Sequence, residues 1–313
     1  MKRVILGSRG SKLALWQTEY VARELKKVVP GLTLEIKTVK TKGDKILDVA
    51  LSRIGDKGLF TKEIERELLN RSIDMAVHSM KDLPSQLGTG LSLAAVLERE
   101  NPEDVLISRQ GYRFHDLPEG AVLGTSSLRR KSQIRALRPD IITVDMRGNV
   151  ETRIRKMYDE QLDGIVLAYA GVKRLGFVDK ISDFLPRTML LPAVGQGAIA
   201  IEIREDDIAN LKLAQRINHE LTYLATRAER SFLRVLEGGC QVPVGCYAEA
   251  RDGKIIIEGL IASLDGRMIF RDSKQGSYDQ ADMLGQQLAN DLLQQGAAGV
   301  LADIREAGES GHE

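Results

Sequence analysis

The chain opens on an apolar run, Val4-Ile5-Leu6, that breaks off at Gly7-Ser8-Arg9-Gly10-Ser11. Apolar positions then recur at Leu13, Trp16, Tyr20, Leu25 and Val28, the spacing of one helix face, until Pro30-Gly31 stops the run. Leu32, Leu34 and Ile36 alternate with polar neighbours as in a half-buried strand. Strand, loop, helix, strand is a βαβ unit and predicts a parallel sheet. The polar segment through Lys40, Lys42, Asp44 and Lys45 has no period. The pattern then predicts a helix over residues 59–69 with Leu59, Ile64 and Leu68 inward, a strand at Ile73–His78 and a buried strand at Leu91–Leu97. Asn101-Pro102 reads as a crossover into a second domain. There Ala121–Leu123, Ile141–Val144 and Gly164–Ala168 are strands, each followed by a polar loop and a helical pattern.

Leu191–Ala198, punctuated by glycine and proline, reads as a return hinge, and Ile199–Ile203 as a strand rejoining the first sheet. Residues 206–236 read as helical with a charged outer face. Tyr247–Ala250, Ile255–Ala262 and Met268–Arg271 then form a meander with turns at Asp252-Gly253 and Asp265-Gly266, followed by a helix over about residues 279–295. The predicted class is α/β: two doubly wound domains, residues 1–98 with 199–216 and residues 103–193, plus a small C-terminal α+β domain at 219–313.

Candidate chemistry gathers at the strand ends, where open α/β sheets bind ligands. Arg9 and Ser11 follow the first strand beside a helix N-terminus, a place that favours anions; Ser11 also reads as a plain helix cap. Gly124-Thr125-Ser126-Ser127-Leu128-Arg129-Arg130 places hydroxyls and two guanidiniums at another helix start. Cations there oppose the helix macrodipole, and a sequence that tolerates this points to a bound carboxylate or phosphate. Arg147-Gly148-Asn149, with Arg153 and Arg155 in the next helix, and Lys173-Arg174 repeat the design. Three basic strand-end loops in one domain imply a small polyanionic ligand. Asp82 lies just past a strand end, as a structural cap, a salt-bridge partner of Lys81, or a catalytic acid or charge stabiliser. Ser52–Gly58, which includes Arg53, is a Gly-rich basic loop and a candidate lid.

Composition narrows the classes. The 313 residues are 43% hydrophobic and 28% charged, as in ordinary globular proteins, and the length favours two or three domains. A formal net charge of +1 with only 4% aromatics argues against a dedicated nucleic-acid binder. Two cysteines, Cys240 and Cys246, make no disulfide framework and have no zinc spacing. No stretch approaches a membrane-spanning helix and the N-terminal apolar run is too short for a signal peptide, so a cytoplasmic protein is expected. Cys240 stands in Glu237-Gly238-Gly239-Cys240-Gln241-Val242-Pro243-Val244-Gly245, an irregular Gly/Pro segment. It reads either as a small apolar loop residue or as a presented, reactive thiol.

Ala76-Val77-His78-Ser79-Met80-Lys81-Asp82, Gly124–Arg130, Arg147-Gly148-Asn149-Val150, Leu191-Pro192-Ala193-Val194-Gly195-Gln196-Gly197 and Glu237-Gly238-Gly239-Cys240 stand in the order found in the porphobilinogen deaminases, also called hydroxymethylbilane synthases. The resemblance covers nearly the whole chain, and five motifs in order are highly specific. It implies two domains similar to the periplasmic binding-protein fold facing each other across a cleft, with the third domain holding its cysteine over it. It implies a dipyrromethane cofactor attached to Cys240 through a thioether and built from two units of the enzyme's own substrate. Porphobilinogen would lose ammonia to give an azafulvene, which the free α-position of the terminal pyrrole attacks. Four rounds and hydrolysis would release the linear tetrapyrrole hydroxymethylbilane.

By the same resemblance Lys81, Ser127, Arg129 and Arg130 would hold cofactor carboxylates, with Thr125 and Ser126 adding hydrogen bonds. Arg9, Ser11, Arg147, Arg153 and Arg174 would hold the reacting ring and the elongating chain, and Asp82 would bind pyrrole N–H groups and stabilise the cation. No metal or nucleotide is implied; the partners are porphobilinogen and the growing oligopyrrole, with no nucleic acid or membrane, and a monomer is expected. Two departures stand out: Arg53 replaces the lysine more usual in the lid, and Cys246 is an additional thiol, a second candidate for attachment or oxidation. A solute-binding protein shares the two-domain architecture but lacks a thiol domain. A cysteine-nucleophile hydrolase would need a partner base, and none of His78, His115, His219 and His312 is assigned that role by sequence.

Overall fold

The structure is a computed structural model; it describes residues 3–45, 61–236 and 242–310. In the first half β1 (Arg3–Arg9), α1 (Lys12–Val28), β2 (Thr33–Val39), the single turn α2 (Lys42–Lys45), α3 (Lys62–Leu69), β3 (Met75–Ser79) and β4 (Leu91–Val96) follow in order. The second half runs β5 (Asp104–Ser108), β6 (Val122–Gly124), α4 (Leu128–Leu137), β7 (Ile142–Val144), α5 (Val150–Asp159), β8 (Gly164–Ala168), α6 (Tyr169–Arg174) and β9 (Asp183–Leu185). The chain then returns through β10 (Ile199–Arg204) and α7 (Ile208–Gln215). Last come α8 (Glu220–Val235), β11 (Val244–Arg251), β12 (Lys254–Ala262), β13 (Ile269–Ser277), α9 (Ala281–Leu292) and α10 (Ala298–Ser310).

Two five-stranded sheets have matching orders, β2-β1-β3-β10-β4 and β7-β6-β8-β5-β9. In each, one strand runs antiparallel to its neighbours, and it is the strand by which the chain arrives from the other sheet: β5 pairs antiparallel with β8, and β10 with β3. Such reciprocal crossing sets the two sheets side by side on a double hinge and makes a cleft at their carboxyl ends. This is the expected pair of doubly wound α/β domains. Both faces of each sheet are covered, as a doubly wound sheet requires. In the first sheet Val4 and Leu6 pack with Val21 and Leu25 of α1, while Ile5 faces Ile64 and Leu68 of α3. In the second, Leu106 and Val166 meet Ile134 of α4, and Val105, Ile107 and Ile165 meet Ile154 and Met157 of α5.

The third unit is the antiparallel sheet β11-β12-β13 with α8 and α9 laid on it, Phe232, Ile257 and Leu288 at its centre. Gly259 and Gly285 let the layers close: a Cβ at Gly285 would lie 2.2 Å from the Ala228 carbonyl oxygen. It meets the hinge segment directly, with the Cys246 N–H donating to Pro192 O at 2.9 Å.

Several elements differ from the sequence reading. The helical stretch at 206–236 is two helices, broken at residues 216–219, where the His219 ring nitrogen accepts from the Thr222 N–H and starts α8. The final strand is longer than Met268–Arg271, and Lys42–Lys45 coils into a turn of helix. The helix near 279–295 is α9; it continues through a π turn with Gly296 at φ +119° into α10, which periodicity did not predict. β9 was not predicted either, because a three-residue strand shows no period. No helix among the described residues is long and apolar enough to cross a membrane.

Candidate active site

One wall of the cleft is built on the ends of β1 and β3. Ser11 caps α1, its Oγ accepting from the Ala14 N–H at 3.3 Å, so the cap reading of Ser11 holds. Arg9 ends β1 with a guanidinium nitrogen 4.0 Å from Asp82 Oδ2. Asp82 closes a single 3-10 turn, Met80–Asp82, directly after β3. Its ion-pair partner is therefore Arg9, not the neighbouring Lys81. Gln17 of α1 and Ser79 exchange hydrogen bonds of 2.9 and 3.2 Å beside it. Arg9, Ser11, Gln17, Ser79 and Asp82 share a small cavity of about 40 Å³, with His78 and Thr61 at its floor. His78 is buried and its Nε2 lies 3.1 Å from Glu202 of β10, so this histidine is a core residue held by a carboxylate.

The other wall rises from β6, β7 and β8. The hydroxyls after β6 shape their own loop. Ser127 caps α4 by accepting from the Arg130 N–H at 3.4 Å, and Thr125 accepts from the Ser127 N–H at 3.3 Å. Ser126 Oγ donates to Met146 O at 2.9 Å and accepts from the Met146 N–H at 2.8 Å, which pins the β7 loop to the β6 loop. Arg129 and Arg130 turn inward from α4 and are nearly sealed from solvent. Arg129 Nη1 is 2.8 Å from both Leu191 O and Asp104 Oδ2. Arg130 Nη2 donates to Asp104 Oδ1 at 2.7 Å and its Nη1 to Val166 O at 2.8 Å. The anion that sequence demanded at this helix start is thus in part supplied by the protein. Burial alone would raise the Asp104 carboxyl, but the two guanidiniums outweigh it and hold it well below the usual carboxylate range.

One carboxylate does not neutralise two guanidiniums. The Nε atoms of Arg129 and Arg130 are buried without an acceptor among the described residues. Lys81 stands against the same cluster. Burial pushes its amine down to about 8, with the charges of Arg130 and Arg129 acting the same way against Asp82 and Asp104. Arg153 of α5 donates from Nε to Gly148 O at 2.8 Å, and burial lowers it to about 10, reinforced by Arg130 and Arg147 and opposed by Asp82. Arg147 is lowered as well, by burial. The geometry therefore gathers Lys81, Asp82, Arg129, Arg130, Arg147 and Arg153 into one field of charge, with Arg9 joined to it through Asp82.

Arg174 lies apart, at the hinge. It donates to Gly197 O at 2.6 Å and its guanidinium sits 5.6 Å from the Trp16 ring centroid, spanning from α6 to α1; burial lowers it to about 10. Arg155 points away on the exposed face and pairs loosely with Asp159. Cys240 and Arg53 lie outside the described residues. Cys246 does not qualify as a second thiol site. It is fully buried in β11, and burial, with Glu229 adding to it, pushes its thiol well above the ordinary value, which keeps it protonated and unreactive.

Sequence reasoning missed Gln17, Ser79, Asp104 and Gln196. Asp104 carried a signal, an acid that follows Glu103 and heads the apolar strand Asp104-Val105-Leu106-Ile107. Gln196 carried none: it reaches from the return hinge to Asp104 at 2.9 Å and Pro102 O at 2.6 Å, contacts that only the folded chain brings together.

A family model described as "Porphobilinogen deaminase, dipyromethane cofactor binding domain" matches residues 4–212, and one described as "Porphobilinogen deaminase, C-terminal domain" matches residues 223–294. The chain is 60% identical to the porphobilinogen deaminase of Syntrophomonas wolfei over 97% of its own length and 100% of that protein. It is 55% identical to that of Carboxydothermus hydrogenoformans, over 97% and 98%, and 48% identical to that of Geobacter metallireducens, over 97% and 95%. Among solved structures, the VFT2 domain of Bordetella pertussis BvgS aligns with a TM-score of 0.41 at 16% identity, over 69% of this chain and 85% of that one, a likeness too distant to bear on function. With both family models matched in chain order and these relatives spanning almost its full length, the chain belongs to the porphobilinogen deaminase family.

Proposed function

We propose that the cleft performs the family's reaction with two sets of cations and one carboxylate. The reaction is the head-to-tail condensation of four porphobilinogen molecules into hydroxymethylbilane with loss of ammonia, a transferase chemistry primed by dipyrromethane. The observation that carries the assignment of roles is the excess of buried positive charge around a single accessible acid. Lys81, Arg129, Arg130, Arg147 and Arg153 converge from both walls, Asp104 answers only part of that charge, and among the described residues Asp82 is the one acid that lines the small cavity. Buried guanidiniums with lowered basicity are stabilised by anions, and every ring of this substrate carries two carboxylates.

The residues fit the dipyrromethane. The Nε groups of Arg129 and Arg130, donors without acceptors among the described residues, and the desolvated Lys81 amine suit its carboxylates, with Thr125, Ser126 and Ser127 fixing the loop that presents them and Cys240 as the attachment point. When bound, the group supplies the free pyrrole α-carbon that receives the first substrate ring. Arg9, Ser11, Arg147, Arg153 and Arg174 hold the carboxylates of the incoming porphobilinogen and of the lengthening chain. Asp82 faces the pyrrole N–H. The aminomethyl group of porphobilinogen reacts as its ammonium: as the C–N bond breaks, ammonia leaves with the bonding pair, the pyrrole nitrogen lone pair feeds the carbon left behind, and the positive charge passes from the ammonium to the ring. A fixed carboxylate stabilises that charge more than the neutral ring, and only such a difference raises turnover. In the same reading the chain works as a monomer in the cytoplasm on small molecules; its net charge of +1 gives no footing to a nucleic-acid partner.

The test is single-turnover ammonia release from cofactor-loaded protein. Asp82→Asn keeps the shape and removes the charge, and should lose about 10² to 10³ in rate, on the scale of a lost oxyanion-type donor. Asp82→Glu keeps the charge one methylene away and should lose less, with both variants unfolding at the wild-type temperature. Near-normal release from Asp82→Asn would leave Asp82 as a structural partner of Arg9.

A further inference from the structure

A second positively charged cavity lies away from the cleft, between the first domain and the helical face of the third. It measures about 490 Å³ and is bounded by Ser85, Leu87 and Leu93 on one side and by Tyr223, Arg230 and Arg234 on the other. Arg227, Arg230 and Arg234 occupy positions i, i+3 and i+7 of α8, one face of that helix. Arg227 is spoken for: its Nε donates to Asp282 of α9 at 2.6 Å. Arg230 is not. Only 7% of it is exposed, and its nitrogens reach Ser85 O at 3.1 Å and Met80 Sδ at 3.9 Å. Neither Arg230 nor Arg234 has a carboxylate within ion-pair distance among the described residues. Glu202 acts on Arg230 only from a distance and is itself bound to His78, and Arg234 adds repulsion.

A guanidinium this deeply buried is normally paired, because its lost hydration has to be replaced. Here three guanidiniums face one carboxylate around a space large enough for a small molecule. The wall facing the charges is mixed, with Leu87 and Leu93 beside Ser85 and Gln86, and the Tyr223 ring adds apolar surface on the arginines' own helix face. A compact inorganic ion would leave that apolar surface wet. Nothing in the proposed reaction uses these residues; Arg230 reaches Met80, whose backbone begins the turn that ends in Asp82.

We propose that this cavity is a second binding site, separate from the cleft, for a small polycarboxylate with a flat apolar body, its carboxylates held by Arg230 and Arg234 and its body laid against Leu87, Leu93 and Tyr223. Bidentate guanidinium–carboxylate geometry suits the charged end, and the depth of the cavity suits the body.

The test uses the full-length, cofactor-loaded protein and benzene-1,3,5-tricarboxylate as probe, followed by calorimetric titration at low salt. The cleft also attracts carboxylates, so two variants separate the sites. Arg234→Gln removes an exposed charge that holds no structural contact and should weaken one binding component at least tenfold with turnover unchanged. Arg227→Gln, which releases the Asp282 carboxylate toward the cavity, should weaken the same component. Arg153→Gln, in the cleft, should leave it intact. Unchanged binding in Arg234→Gln, or loss of all binding in Arg153→Gln, would assign every bound probe to the cleft and overturn the proposal, as would the absence of any binding to the wild-type protein. Pyrophosphate binding as tightly as the tricarboxylate to the Arg234-dependent component would contradict the role given to Leu87, Leu93 and Tyr223.

Discussion

Lys81 is the residue on which the electrostatics of the cleft turn most visibly. Its amine, ordinarily near 10.5, falls to about 8 because burial penalises the ammonium and the neighbouring guanidiniums repel it. Between those two values the folded protein binds fewer protons at Lys81 than the unfolded chain. The contribution of this group to stability therefore rises with pH from about 8 to 10.5, and below 8 the buried charge is a cost that Asp82 and Asp104 offset only in part. A bound carboxylate would reverse this. In Cys240→Ser protein without cofactor, the rate of Lys81 acylation, read by peptide mass spectrometry, should follow a midpoint near 8. In the loaded wild type the midpoint should move upward. Equal midpoints in the two proteins would mean that Lys81 holds no cofactor carboxylate. At this scale the sequence was half legible. Arg129 and Arg130 could be named because they stand at a helix start where a positive charge is unfavourable. Their partners could not, because Asp104 reaches Arg129 and Arg130, and Gln196 reaches Asp104, only through the folding of distant segments.

Elements were legible wherever period and turn chemistry agreed, which covers α1, β1, β3 and the meander of the third unit. They were not where a boundary depends on one unusual residue. His219 starts α8 with a ring nitrogen in place of the usual hydroxyl or carboxylate, so the break before it looked like continuous helix. Gly296, at positive φ, bends an otherwise helical run, so the predicted helix stopped at about 295 and α10 was not foreseen. The return hinge is the element with the tightest constraint. Gly197 has φ +93°, and a Cβ there would sit 2.3 Å from the Glu100 carbonyl oxygen of the outgoing crossover; the same residue's carbonyl receives Arg174. Both the backbone conformation and the contact exclude a side chain, so Gly197→Ala should destabilise the protein by about 1–3 kcal/mol in urea unfolding. It should also weaken substrate retention, because it shifts the acceptor of Arg174. Wild-type stability in this variant would show that the two crossovers are not packed as described.

At the scale of the whole molecule, three sheets are joined at one buried carboxylate. Glu229 of α8 accepts from Arg99 of the outgoing crossover at 2.5 Å, from the Gly195 N–H of the return hinge at 2.7 Å and from the Ala248 N–H of β11 at 2.8 Å. Arg99 in turn lies 4.8 Å from the Tyr247 ring centroid, and Arg187 lies at the same distance from it. Removing one partner of a buried pair leaves the other charge unanswered, typically about 3–5 kcal/mol. Glu229→Gln should therefore lower the unfolding midpoint clearly and make unfolding less cooperative, since the third unit loses its tie to the hinge; a single sharp transition at the wild-type temperature would contradict that role. The central claim is that this frame exists to hold a dipyrromethane on Cys240 against the cations of the cleft, while the buried Cys246 stays free. The most direct measurement is the intact mass of the purified chain and of two variants. The account predicts a mass above that of the sequence by one dipyrromethane in the wild type and in Cys246→Ser, and the bare sequence mass in Cys240→Ser. An unmodified wild-type chain, or an adduct that survives Cys240→Ser and disappears in Cys246→Ser, would contradict it.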